Sequence, residues 1–219
     1  MAADLYPVYP GAGRYRVRPG PDLDLRYKDQ AFFSTGEGLG VNILNGKTYR
    51  AGIALGVDTG READSANRLH GTGDIGLAPT PKLFAEYVVF PVVLRADIRR
   101  ALGGADGWTG DLSAYMPVYG DRKFFVFAGP TVTFADDTYN RHYFGISATQ
   151  SLRSGLPRYK AGAGAQSAGF GSSLTWFVTE HWMIQGDLSA QRLLGDAAHS
   201  PLVQRRMQYD ASLAIGYMF

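Results

Sequence analysis

The chain contains no cysteine. Disulfide frameworks, thiolate metal sites and cysteine nucleophiles are excluded together. It also lacks any stretch near the about 18 consecutive apolar residues of a membrane-spanning helix. The longest apolar block, residues 87–94, is short and contains Pro91. A helical membrane protein is thereby excluded. Charge of one sign is scarce as well: 22 basic against 20 acidic residues leave a net charge of +2, with no clustered basic stripe, so nucleic acid is not an expected partner. Only four histidines occur, none at a ligand spacing such as His-x-x-x-His. Gly71-Thr72-Gly73 is followed by neither a helix nor a Lys-Ser/Thr pair, so it is no phosphate loop. No cofactor is expected. Met1-Ala2-Ala3-Asp4 has neither a basic segment nor an apolar core, and the expectation is a mature chain to which a start Met was added.

What the chain has is alternation. Tyr209, Ala211, Leu213, Ile215, Tyr217 and Phe219 fall on one side of an extended strand, and Asp210, Ser212, Ala214, Gly216 and Met218 on the other. A terminal aromatic suits the closing strand of an outer-membrane β-barrel better than a frayed soluble tail. Tyr217 and Phe219 read as its C-terminal insertion signal. The mean hydropathy of −0.14 fits a barrel too, because only alternate residues meet lipid. Aromatic residues make up 13%, enough for girdles at two interfaces, with Tyr27, Trp108, Trp182 and Tyr217 as anchors.

Strands are predicted over residues 22–34, 39–43, 47–58, 82–102, 108–118, 122–134, 138–148, 169–178, 182–191 and 209–219. Asn45-Gly46 is a strong hairpin signal. The turns at Asn45-Gly46, 103–107, Asp136-Asp137 and Thr179-Glu180 fall on one side, and three long loops, 59–81, 149–160 and 192–205, on the other. The fold class expected is all-β: an antiparallel transmembrane barrel of ten strands, with short periplasmic turns and long external loops. If Phe90-Pro91 is instead a hairpin, the count becomes twelve. Lipocalin-like barrels and β-sandwiches also alternate, but their apolar face is large, dense and inward, whereas the polar face here carries opposite charges on strand after strand.

Two regions follow: an extended, solvated periplasmic arm over residues 1–21, with Arg14, Arg16 and Arg18, and a barrel over residues 22–219. The charges expected to face the lumen are Asp22, Asp24, Arg26, Lys28, Arg50, Asp58, Arg95, Asp97, Arg99, Asp187 and Asp210. In a narrow barrel they should pair into a plug; unpaired, they would line a selective pore. His70, Asp74, Asp196, His199 and Ser200 could meet at the external rim. Turn chemistry explains them equally well, and no enzyme is expected.

The loops carry a resemblance. Gly60-Arg61 and Arg68-Leu69-His70-Gly71-Thr72-Gly73-Asp74 resemble the first external loop of the MipA/OmpV family. So do Tyr143-Phe144-Gly145-Ile146-Ser147, Gln150-Ser151 and Ser154-Gly155-Leu156-Pro157. The sharpest match runs from Arg192-Leu193-Leu194-Gly195-Asp196 through Ser200-Pro201-Leu202-Val203 to Tyr217-Met218-Phe219. The resemblance implies a Gram-negative outer-membrane barrel in contact with outer-membrane lipid, with no catalytic residues to transfer. The founding member of that family is described as a scaffold linking a lytic transglycosylase to a peptidoglycan synthase. A murein hydrolase or synthase on the periplasmic side is therefore the implied partner. A narrow solute channel and a surface adhesin are the alternatives.

Overall fold

In the computed structural model, which describes residues 1–218, one antiparallel sheet makes up most of the chain. Its strands are β1 (Ala2–Pro7), β2 (Tyr15–Gly20), β3 (Asp24–Tyr27), β4 (Ala31–Ser34), β5 (Gly38–Asn45), β6 (Tyr49–Asp58) and β7 (Ala78–Val89). They continue with β8 (Val92–Arg100), β9 (Trp108–Gly120), β10 (Phe124–Ala135), β11 (Gly164–Phe177), β12 (Trp182–Leu193) and β13 (Met207–Tyr217). Three short helices lie between strands: α1 (Asp137–Phe144), α2 (Ala148–Ser154) and α3 (Gly195–His199).

Strand order makes this sheet a barrel. The first strand, β1, pairs with the last, β13, and the sheet's two edges are β2 and β3. Laid flat, thirteen strands would put those edges roughly 58 Å apart. Yet Gly20 and Asp24 are joined by only Pro21, Asp22 and Leu23, a link of at most about 15 Å. The sheet must curl until its edges meet. All pairings are antiparallel, so the twelve steps from β2 round to β3 leave both running the same way. Residues 21–23 join these two edges in sequence.

Three expectations are corrected. The ten-strand count fails first at Phe90-Pro91, where the chain reverses: Val89 faces Val92 and Glu86 faces Arg95. It fails again at residues 138–148. Asp136 caps a helix there, its carboxylate accepting the Tyr139 N–H at 2.7 Å, and α1 replaces a strand. Those two changes move the 103–107 and Asp136-Asp137 connections to the side of the long loops. Third, the expected arm over residues 1–21 is wall. Its alternating side chains pair with β13 on one flank and form the β1–β2 hairpin on the other. β1 thereby covers the flank of β13 that would otherwise leave its backbone groups unpaired.

The faces sort as alternation demands. Leu39 stands opposite Leu55, Val41 opposite Ile53 and Ile184 opposite Ile215, all outward. Leu39, Leu55, Ile53, Leu213 and Ile215 are exposed, which in a barrel is the apolar band that lipid covers. Trp182 and Tyr217 meet edge-to-face, with ring centroids 5.1 Å apart, at the end where the turns are short. The expected terminal signal is thus half seen, because Phe219 lies outside the described residues. That end, the turn end, holds connections 28–30, 46–48, 90–91, 121–123 and 178–181. The opposite loop end holds 8–14, 35–37, 59–77, 101–107, 136–163 and 194–206.

Candidate functional site: a packed loop cap above a charged lumen

The loop end folds into a cap with its own apolar core. Ile75, Tyr143, Phe144, Leu193 and several alanines form one cluster, and Tyr9, Leu69, Ile146 and Leu202 a second beside it. The largest fully buried side chains among the described residues, Phe144, Leu69 and Leu202, are all here. Strands alternate and cannot bury both faces around a wet lumen, so the loops supply the dry core that the wall lacks.

Polar side chains bolt the loops to one another. Ser200 Oγ donates to the Phe144 carbonyl at 2.6 Å, and Tyr9 Oη to the Leu202 carbonyl at 3.0 Å. Arg68 reaches the Pro201 carbonyl from both Nε and Nη2, and Gln150 donates to the Thr72 carbonyl. The Asp196 carboxylate accepts the Gly162 N–H at 2.7 Å, and the Asp74 carboxylate the Ala63 N–H at 2.6 Å. Gly60, Gly73 and Gly195 take positive φ in the turns between these contacts. Arg61 is 5% exposed and donates to the Tyr143 carbonyl at 2.8 Å, but its Nε finds no partner among the described residues. Burial holds that guanidinium below its ordinary value.

Asp58, at the loop-end tip of β6, accepts hydrogen bonds from Tyr143 Oη at 2.7 Å, Tyr139 Oη at 3.3 Å and the Gly60 N–H at 2.8 Å. Burial, aided by the neighbouring Asp58 charge, raises both phenols well above their ordinary range. This carboxylate joins wall to cap rather than charge to charge.

Below the cap, one side of the lumen is a lattice of ion pairs. Glu37 and Glu86 each contact both Arg50 and Arg95, at 2.7–3.8 Å. Arg99 pairs with Asp97 at 2.7 Å and with Asp111 on β9, while Thr133 Oγ1 donates to Asp111. Arg50 also lies over the rings of Phe32 and Phe84. Asp24 and Arg26 pair with each other at 3.0 Å on β3, and Lys28 lies in the turn that follows, over the Tyr27 ring. Asp22 sits in the link between β2 and β3 and makes no ion pair among the described residues. Asp187 and Asp210 accept serine hydroxyls, from Ser212 at 3.1 Å and Ser189 at 3.0 Å, and meet no cation. Of the expected lumen charges, Asp24, Arg26, Asp97 and Arg99 thus pair along their own strands, while Arg50 and Arg95 pair with glutamates outside the expected set.

The acids that complete the lattice, Glu37, Glu86 and Asp111, were not singled out from the sequence. One signal was available: Glu86 and Arg95 are equidistant from the Phe90-Pro91 reversal, so reading the hairpin pairs them. The loop residues that could have formed a relay do not. Ser200 Oγ is spent on a carbonyl, and His199 Nδ1 hydrogen-bonds to the Gly195 carbonyl at 2.7 Å.

An antiparallel wall whose first and last strands pair, with an apolar outside, a charged inside and short turns at one end, defines a β-barrel of the membrane type. A solved structure titled "NanC porin structure in rhombohedral crystal form" superposes over 100% of this chain and 99% of that one, with a TM-score of 0.56 at 8% identity, a likeness of fold. The family model described as MltA-interacting protein MipA matches residues 1–219, and the chain belongs to that family. No curated protein matches.

Proposed function

We propose that this chain is an outer-membrane barrel acting as a non-enzymatic scaffold or interaction protein, with a murein hydrolase or synthase as its partner at the periplasmic turn end. The observation that carries the reading is the cap: a dry core and a set of side-chain bolts at the loop end, beside a lattice of arginines already neutralised by carboxylates. An end built this way favours holding a shape over passing solutes. The family description, MltA-interacting protein, points the same way. Short turns at one end and long loops at the other support an orientation with the loops outward.

Purification from native outer membranes in mild detergent tests it. A murein enzyme recovered in stoichiometric amount supports the scaffold, and a bare barrel overturns it. A narrow channel is the second reading, favoured by the porin-like fold and by the unpaired charges of the opposite wall. Single-channel steps in a planar bilayer would support it.

A further inference from the structure

The wall facing away from the ion-pair lattice has a different chemistry. Strand register sets Ser173, Asp187, Ser212, Asp4 and Arg18 directly opposite one another across β11, β12, β13, β1 and β2. Directly opposed residues share a face, so the five form one transverse row. A second row holds Gly171, Ser189 and Asp210 across β11, β12 and β13, with Tyr6 facing Arg16 across β1 and β2. Both rows, Arg16 excepted, line a cavity of about 480 Å³.

Three features set this cavity apart. Three carboxylates and one guanidinium border it, yet among the described residues Asp4, Asp187, Asp210 and Arg18 form no ion pair. Although Arg18 stands opposite Asp4, it and Arg16 lie instead over the Tyr6 ring, at 5.4 and 4.8 Å. The second feature is Tyr115, which reaches in from β9 to the β11 wall at Gly171. A Cβ on Gly171 would sit 2.4 Å from Tyr115 Oη, so a larger residue there would push this phenol aside. Its hydroxyl has no hydrogen-bond partner among the described residues. The third is a line of hydroxyls, Ser173, Ser189 and Ser212, between the charges. The lattice wall satisfies its charges internally; this wall leaves both signs open around a space the size of a small solute.

We infer that this chamber binds a small amino acid carrying an extra cationic amine. Its ammonium groups face Asp187, Asp210 and Asp4, and its carboxylate faces Arg18. With three acids against one lining guanidinium, the excess positive charge belongs on the ligand. The inference rests on the barrel alone and is independent of the scaffold reading.

Titration calorimetry on the purified full-length barrel in detergent tests it with three probes: L-lysine, cadaverine and L-glutamate. Lysine should bind saturably, cadaverine more weakly for want of a carboxylate, and glutamate not at all. The double variant Asp187→Asn/Asp210→Asn should weaken lysine at least about tenfold. Arg18→Gln should erase the preference of lysine over cadaverine. Unchanged heat-dependent gel migration would show that each variant is still folded. No saturable lysine binding, equal binding of cadaverine, or full affinity in the folded double variant would each overturn the assignment.

Discussion

The cap and the lattice wall solve one problem in opposite ways. Both must give polar groups partners inside the folded chain. The cap excludes water with apolar packing and satisfies its polar groups one at a time, mostly against backbone carbonyls. The lattice keeps charges half-exposed and satisfies them against each other. Dry packing is sensitive to volume, and wet pairing to charge. The difference teaches where each kind of substitution should do damage.

The largest effect is expected at Phe144, 1% exposed at the centre of the cap core. Phe144→Ala should cost about 3–5 kcal/mol of cap stability. Limited proteolysis should then cut residues 136–163 and 194–206 quickly, while the wall keeps its heat-dependent gel migration. If the wall unfolds together with the cap, the two regions are one cooperative unit and the comparison breaks.

A second test concerns the bolt between them. Tyr143→Phe removes the 2.7 Å hydrogen bond to Asp58 and should loosen the cap by about 1.5–3 kcal/mol, since the acceptor is charged. The same bond sets an alkaline limit. Both phenols at this site are raised above the ordinary tyrosine value, so their contribution is fully present below about pH 10. Above it the unfolded tyrosines ionise while the folded ones do not, and stability falls with rising pH. Protease sensitivity of the cap should climb above that pH, and Tyr139→Phe/Tyr143→Phe should flatten the climb. A pH-independent cap in the unsubstituted chain would sink this reading.

How much of this was legible depends on the range over which the physics acts. Alternation is local, so the strands around Ile53, Leu188 and Leu213 could be read directly, as could the hairpin at Asn45-Gly46. Pro91 was ambiguous because proline suits both a turn and an edge position. Taking it as mid-strand hid the Glu86–Arg95 pair and shifted the parity of every connection up to α1. The segment 138–148 alternates weakly, and only the Asp136 cap reveals its helix. Residues 1–21 looked like an arm because their partner, β13, lies about 200 residues away. Long-range register leaves no local trace. The loop motifs were visible as a resemblance, but their role as bolts was not, since Ser200, Asp196 and Arg68 act through backbone groups that no side-chain pattern encodes.

On the lattice side, volume should matter little and charge sign a great deal. Glu37→Gln/Glu86→Gln keeps the shapes and leaves Arg50 and Arg95 without their shared acids. These side chains are partly hydrated, so the stability cost should stay near 1 kcal/mol. The selectivity of any residual conductance should instead swing toward anions. Reversal potentials across a salt gradient measure that swing. A large loss of stability with no change in selectivity would mean that the lattice is as dry as the cap.

The smallest effect separates both regions from ordinary surface. Arg141 and Asp137 pair at 2.9 Å one turn apart on α1, about half-exposed on the outer side of the cap. An exposed pair of this spacing is worth about 0.3–0.5 kcal/mol, because solvent screens it and two flexible side chains must be held. Arg141→Gln should therefore leave cap proteolysis within error of the unsubstituted chain. The neighbouring Tyr143 and Phe144 substitutions, on the same helix, should change it strongly. A strong effect of Arg141→Gln would mean that α1 is fastened from outside by charge rather than from beneath by packing, and the dry core would no longer account for the cap.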